Sequence, residues 1–237
     1  MSDELKAGKV VRIGDSVTLI LGDCLAHLPI AADAVISDPP YGMDWNTDSK
    51  RFSGGKRKRG EGVDNWGKVS GDDKPFDPAL WLEYPACVLW GSNHYGQRLP
   101  VGTTLIWMKK PPHLFGTFLS DAEVAWMKGG HGTYCHLNTR EYMATQKNKM
   151  HPTQKPVALM AWCMDRAKVP QGATVLDPYM GSGSTAIACI RTGRKFIGIE
   201  RDPVHFATAE QRIRRELEAG TFDFAAQPAS VSQQPLL

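Results

Sequence analysis

The stretch Thr174-Val175-Leu176-Asp177-Pro178-Tyr179-Met180-Gly181-Ser182-Gly183-Ser184-Thr185 decides how this chain folds. Thr174 to Leu176 followed by Asp177 has the pattern of a buried strand that ends in a carboxylate. The two glycines then allow a tight turn, and the apolar segment Ala186 to Arg191 continues as a helix. A strand, a Gly-rich turn and a helix start together form the cofactor-binding opening of a Rossmann-like fold, and the helix N-terminus favours a ligand carboxylate. The turn reads GxGxT and lacks the third glycine of the usual dinucleotide fingerprint, so NAD is not the natural ligand. Asp177 is placed to accept from a ligand's ammonium group. The next strand, Lys195 to Ile199, ends in Glu200, whose carboxylate can bind both hydroxyls of a ribose. An ammonium, a carboxylate and a ribose diol are features of S-adenosylmethionine. A generic nucleotide-binding βαβ unit is the plainer alternative.

Working back, Ser37-Asp38-Pro39-Pro40-Tyr41-Gly42 follows the apolar run Ala34-Val35-Ile36, the end of another buried strand. Two prolines stiffen the chain and remove two backbone donors, so neither strand nor helix continues. The stretch suits an exocyclic amine on a flat heteroaromatic ring. Ionised Asp38 and the Pro39 carbonyl only accept hydrogen bonds, and can hold both hydrogens of an –NH2 group. Tyr41 offers a stacking face typically worth about 1–3 kcal/mol per base. An ordinary strand-to-loop turn is the bland alternative, since Asp, Pro and Gly are common turn residues.

The chain of 237 residues is long enough for one large domain with a proper core. With 42% hydrophobic and 22% charged residues, its composition is that of a soluble globular protein. No apolar run approaches the roughly 18–20 residues of a membrane span. Residues 1–9 are polar and lack a signal peptide's apolar core. Cys24, Cys87, Cys135, Cys163 and Cys189 form no CxxC pair, so no metal site and no disulfide framework is expected. Reduced thiols of a cytoplasmic protein are the natural reading.

Along the chain, Val10–Ile13 and Val17–Leu21 are short strands, and Cys24–Leu28 has helical spacing. With Ala34–Ile36 they suggest a compact β-α-β unit, with Asp23 and Asp38 at successive strand ends. Asp23 is equally well explained as a helix N-cap. Residues 44–77 form a long loop whose cations, Lys50, Arg51, Lys56, Arg57, Lys58 and Arg59, suit nucleic-acid phosphates. A helix over Pro78–Tyr84 and strands over Ala86–Trp90, Thr103–Trp107 and Ala122–Met127 are expected, with Lys109 and Lys110 on a second rigid basic loop. Trp90, Trp107 and Trp126 belong to the core and pocket walls. Residues 128–150 are polar and without strong periodicity. His151-Pro152-Thr153-Gln154-Lys155-Pro156 leads into an apolar helix, Val157–Ala167. An amphipathic helix, Pro203–Leu217, carries Val204, Ala207 and Ile213 on its apolar side, and residues 220–237 have the composition of a disordered tail.

Taken together, the Ser37–Gly42 and Leu176–Thr185 motifs, with His151–Pro156 between them, resemble those of DNA amino-methyltransferases. Their order is similar to the β class, the circularly permuted group that includes N6-adenine enzymes. The resemblance covers about residues 10–218 and implies a single α/β catalytic domain with a mostly parallel, doubly wound sheet of the Rossmann-like methyltransferase type. It implies that Asp177, Pro178, Tyr179 and the run Gly181, Ser182, Gly183, Ser184 and Thr185 hold the methionine end of S-adenosylmethionine. Glu200 would take its ribose, Asp23 and Cys24 its adenine, and Lys155 would lie near the cofactor. Asp38, Pro39, Pro40 and Tyr41 would be catalytic, with the strands before Asp38 and Asp177 side by side. Double-stranded DNA is the implied partner, its target base flipped into the pocket. Asp rather than Ser at the head of the catalytic motif favours adenine N6 over cytosine N4. The target-recognition segment, 128–150, is shorter than in many members, so the basic loop or a second subunit of a homodimer is expected to compensate. A catalytically silent DNA-binding module is the reading from another class.

Overall fold

The computed structural model describes residues 8–43, 72–117, 120–137 and 154–226. The cations Lys50, Arg51 and Lys56–Arg59, and the stretch from Arg140 through Thr153, lie outside these residues.

Nine strands form one mixed sheet among the described residues: β1 (Val10–Ile13), β2 (Val17–Leu21), β3 (Ala34–Ser37), β4 (Ala86–Trp90), β5 (Thr103–Met108), β6 (Ala122–Met127), β7 (Thr133–Leu137), β8 (Thr174–Asp177) and β9 (Lys195–Glu200). Their spatial order is β1-β2-β9-β8-β3-β4-β6-β5-β7. The core from β2 through β4 is parallel, and antiparallel pairs occur at β1–β2, β4–β6 and β6–β5. This is the expected Rossmann-like α/β fold. The chain leaves β3 toward β4 and leaves β8 toward β9, so the two neighbours diverge at a topological switch point, where such sheets bind ligands.

Period-two alternation buries both faces of the central strands. On β3, Ala34 and Ile36 face one side and Val35 the other, each fully buried. Helices α2 (Val157–Arg166), α3 (Ser184–Arg191) and α4 (Pro203–Ala226) cover the first side with Leu159, Met160, Cys163, Ala188, Phe206 and Ile213. The opposite side packs Trp81 of the short helix α1 (Ala79–Leu82), Phe76 and Tyr95 against Cys87, Leu89 and Leu176. Trp90 and Trp107 meet edge to face within the first core, 6.5 Å apart.

Four expectations need correction. The strands β2 and β3 do not form a compact β-α-β unit: β9 and β8 lie between them, and a single 3₁₀ turn, Cys24–His27, is the only helical element on the connection. Strand β7 falls within the stretch that showed no strong periodicity. Among the described residues it pairs only with β5, at the sheet edge, where Thr133 to Cys135 stay exposed and no apolar alternation is required. The buried stripe of α4 is Phe206, Ala209 and Ile213, spaced i, i+3, i+7, whereas Val204 is 70% exposed and Ala207 also faces solvent. Finally, α4 runs through Ala226 into the segment expected to be a disordered tail, because extending an established helix needs no new nucleus.

The β3–β8 pair is clasped at its end by a buried hydrogen bond, Ser37 Oγ donating to Asp177 Oδ1 at 2.6 Å. Burial pushes the Asp177 carboxyl up to about 6, with the Ser37 and Thr185 hydroxyls opposing the rise. Ser37→Ala is expected to lower the unfolding free energy by about 1–3 kcal/mol in urea titrations. The donor matters most to the ionised carboxylate, so the loss should be larger at about pH 8 than at about pH 5. A loss that is equal at both would show that Asp177 does not depend on this donor.

Candidate active site

Two turns at adjoining strand ends make the site. After β3, the chain passes Asp38-Pro39-Pro40 and brings Tyr41 back, its hydroxyl donating to Asp38 Oδ1. The other carboxylate oxygen, Oδ2, accepts from Lys155 Nζ at 2.5 Å. Asp72 Oδ1 then accepts from the Gly42 and Met43 amides at 2.7 and 3.2 Å, which pins the far end of the turn. The Tyr41 ring stacks on His94 with centroids 4.9 Å apart and planes only 9° off parallel. Its edge lies against Gly91, where any Cβ would collide with the ring and where φ is +73°.

After β8, Asp177 brackets the second turn. Its Oδ1 also accepts from the Tyr179 amide at 3.2 Å, and its Oδ2 accepts from Thr185 Oγ1 at 2.6 Å. Gly183 caps α3 with φ +81°, a conformation few other residues tolerate. The Gly181 amide donates to Glu200 Oε2 at 3.0 Å, tying the turn to the end of β9. Burial raises the Glu200 carboxyl above its ordinary range. Ser184 Oγ, at the start of α3, is buried and has no hydrogen-bond partner among the described residues. Such an orphan at a helix N-terminus, in a cleft wall, fits a ligand's carboxylate. Asp23 caps the 3₁₀ turn after β2, accepting from the Leu25 amide at 2.9 Å, and Cys24 beside it is buried, its thiol pushed up to about 11 by burial.

One cleft of about 1710 Å³ is lined by both turns. Single small-molecule sites occupy roughly 300–1,000 Å³, so this cleft can take two ligands side by side. Asp23, Cys24, Asp38, Pro39, Pro40, Tyr41, Lys155, Asp177, Pro178, Tyr179, Gly181, Ser182, Ser184, Thr185 and Glu200 all lie on its wall. The structure therefore brings together nearly every described residue that the sequence marked. Lys109 and Lys110 are placed differently from free phosphate contacts. Lys109 Nζ pairs with Glu123 Oε1 and Lys110 Nζ with Asp121 Oδ1, both at 2.9 Å.

Three contributors were not among the residues singled out in the sequence. Glu123 of β6 reaches Lys155 Nζ with Oε2 at 3.1 Å, so the ammonium is shared between two carboxylates. Against the burial penalty, Lys155 and Lys109 hold the Glu123 carboxyl down at about 2. Burial raises the Asp38 carboxyl above the usual carboxylate range while Lys155 opposes the rise, and the two carboxylates hold the Lys155 ammonium above its ordinary value despite burial. Asp72 and His94 are the others. Only Glu123 left a trace, a lone carboxylate in the otherwise apolar strand Ala122–Met127. Among the described residues, no cluster of three or more His, Cys, Asp or Glu could hold a metal ion, and no helix is long and apolar enough to cross a membrane.

A Gly-rich turn and an acceptor-bearing Pro-Pro turn thus face one cleft at a switch point of a Rossmann-like sheet. Comparison with known proteins adds to this. Residues 104–211 match the N6_N4_Mtase family model, described as DNA methylase. The chain is 26% identical, over an alignment 249 residues long, to the type II methyltransferase M.HinfI of Haemophilus influenzae, covering 83% of this chain and 68% of that protein. Its fold is similar to the M1.HpyAVI–SAM complex, with a TM-score of 0.51 and 20% identity over 83% of this chain and 98% of that one. It is also similar to the PvuII DNA methyltransferase (cytosine-N4-specific), with a TM-score of 0.52 and 15% identity over 90% and 94% of the two chains. The family match spans just under half of the chain, and the two structural neighbours, both below 25% identity, share its fold.

Gly91→Ala tests whether Tyr41 is held as described. Gly172 shares the left-handed backbone, at φ +77° against +73°, but has open space where a Cβ would go. Gly172→Ala should cost only the backbone strain of about 1–2 kcal/mol, and Gly91→Ala clearly more, by urea denaturation. Equal costs would mean that the ring moves aside freely.

Proposed function

We propose that the protein methylates the exocyclic N6 of adenine in double-stranded DNA, as a β-class enzyme with one catalytic domain over about residues 10–218. The observation that carries this reading is the pairing of the Asp38 turn with the Asp177 turn at the β3–β8 switch point, joined by the Ser37–Asp177 hydrogen bond. S-adenosylmethionine, when bound, supplies a sulfonium methyl group, the amine nitrogen forming the new N–C bond as the S–C bond breaks with its electron pair left on sulfur. Asp177, the Gly181–Thr185 turn and the orphan Ser184 hydroxyl would hold its amino acid end, and Glu200 its ribose. Asp23 and Cys24 border the place for its adenine.

The target base is flipped into the cleft and stacks against Tyr41. Asp38 and the Pro39 carbonyl take the two amine hydrogens, which turns the nitrogen lone pair out of conjugation and toward the methyl donor. Acceptors already in place where positive charge develops need no reorganisation as the reaction proceeds. The extra proton on nitrogen then leaves through the Asp38 carboxylate to water. The cations of the 44–77 loop would contact phosphates, together with any of Lys109 and Lys110 that exchange an internal carboxylate for one.

A cytosine-N4 specificity is the second reading, favoured by the fold likeness to the PvuII enzyme. Asp38 at the head of the motif supports adenine. DNA incubated with the protein and cofactor, digested to nucleosides and weighed, should contain N6-methyladenine; N4-methylcytosine would overturn the assignment. Asp38→Ala should reduce transfer by at least about a hundredfold while cofactor affinity stays within about twofold, because only the amine loses its acceptor. Retained transfer in that variant would sink the mechanism.

A further inference from the structure

The ammonium of Lys155 is expected near the cofactor, but the structure turns it toward Asp38. It approaches Asp38 Oδ2 to 2.5 Å and Glu123 Oε2 to 3.1 Å, and the same Nζ lies over the Trp90 ring, 5.9 Å from the centroid. The side chain is 6% exposed. A buried ammonium is strongly unfavourable unless carboxylates surround it, so a site that keeps one has a use for its position. Glu123 is in turn fixed by Lys109. The result is an alternating row, Lys109–Glu123–Lys155–Asp38, that ends on the acceptor assigned to the target amine. Tyr41 closes the row from the opposite side by donating to the other Asp38 oxygen.

Resting on the amine-methylation reading above, we propose that Lys155 is the positioning residue of this site: shared by Glu123 and Asp38, it locks the Asp38 carboxylate in one orientation and keeps it ionised for the incoming amine. Glu123 is the counter-anchor that prevents Lys155 from neutralising Asp38 completely. With Tyr41 on Oδ1 and Lys155 on Oδ2, the carboxylate cannot rotate, and each oxygen keeps a lone pair for the substrate. Lys155 and the methyl donor then serve different partners in one cleft.

The groups that face Asp38 have opposing signs. Lys155, from the segment before α2, favours its ionised form. Glu123 from β6 opposes ionisation, as does the fainter field of Asp177 from β8, and Tyr95, after β4, and Tyr41 feel the same negative charge. Removing Lys155's charge and removing Glu123's charge should therefore move the acid limb of activity in opposite directions, which a loss of packing cannot do.

The test uses the full chain with radiolabelled S-adenosylmethionine and unmethylated duplex DNA, and follows kcat/KM against pH, which reports ionisations of the free enzyme. In Lys155→Gln, the acid limb should rise by about one pH unit or more, since a cation this close to an Asp typically lowers its pKa by about 1–3. kcat should fall at least about tenfold and cofactor affinity, by calorimetry, should change less than about twofold. In Glu123→Gln, which keeps an acceptor for Lys155, the limb should move to lower pH. An acid limb unmoved by Lys155→Gln, or a loss of cofactor affinity in its place, overturns the proposal and returns Lys155 to the cofactor. Should Lys155→Gln fail to fold, the Glu123→Gln limb decides alone: lower supports, unmoved or higher overturns. Failure of the underlying reading looks different, since the wild-type chain would then place no methyl group on a base amine.

Discussion

Everything at this site depends on two parallel strands, β3 and β8, lying side by side although about 140 residues separate them. Parallel neighbours cannot be joined by a hairpin, so each strand's C-terminal end is free to carry a different turn. One turn has acceptors and an aromatic ring, the other glycine amides and a helix start. Because the chain diverges from this pair in both directions, a crevice opens between the two turns, and both line the cleft. The Ser37–Asp177 hydrogen bond fixes the relative height of the two turns, and Asp177 passes the constraint on through Thr185 to the first turn of α3. The distance between the two halves of the site is thus set by sheet register, the least deformable coordinate available to the fold.

Much of this was legible in the residues. The strands at Val10, Val17, Ala86, Ala122 and Thr174 appear with their expected bounds; those at Ala86 and Thr174 are central strands whose buried apolar runs end at Gly or Asp. What a one-dimensional pattern cannot carry is order across the sheet. The connection from β2 to β3 is short enough to suggest neighbours, yet two later strands slip between them, a choice made by the pairing of β8 with β3. Strand β7 was hidden for the opposite reason: an edge strand with mostly exposed side chains leaves no alternation to read. Val204 and Ala207 suggest a different phase for α4 because they are apolar, but they are small or terminal, and Phe206 and Ala209 pack beside Ile213 in their place.

The Asp38 turn shows the same division. Its wording announced an acceptor, a rigid bend and a ring, and those are present. The surroundings that make the acceptor usable came from elsewhere in the chain. Gly91 and His94, on the connection after β4, bound the ring of Tyr41, and Asp72 holds the turn's far end through two amides. Each is an ordinary loop residue in sequence, and becomes informative only when the sheet places β4 beside β3.

Charge burial explains why the cleft is built from ions rather than neutral donors. A lone carboxylate at Asp38 would be forced upward by desolvation toward its neutral form, and a neutral acid would donate to the amine nitrogen instead of accepting from it. A single buried ammonium at contact distance would correct this but would also saturate the carboxylate, leaving a tight, unreactive pair. Dividing the ammonium between Asp38 and Glu123, with Lys109 balancing Glu123, opposes the rise that burial imposes on Asp38 without spending all of its accepting capacity. An alternating row of charges is therefore an arrangement that offsets the desolvation of a carboxylate held in the wall of a cleft.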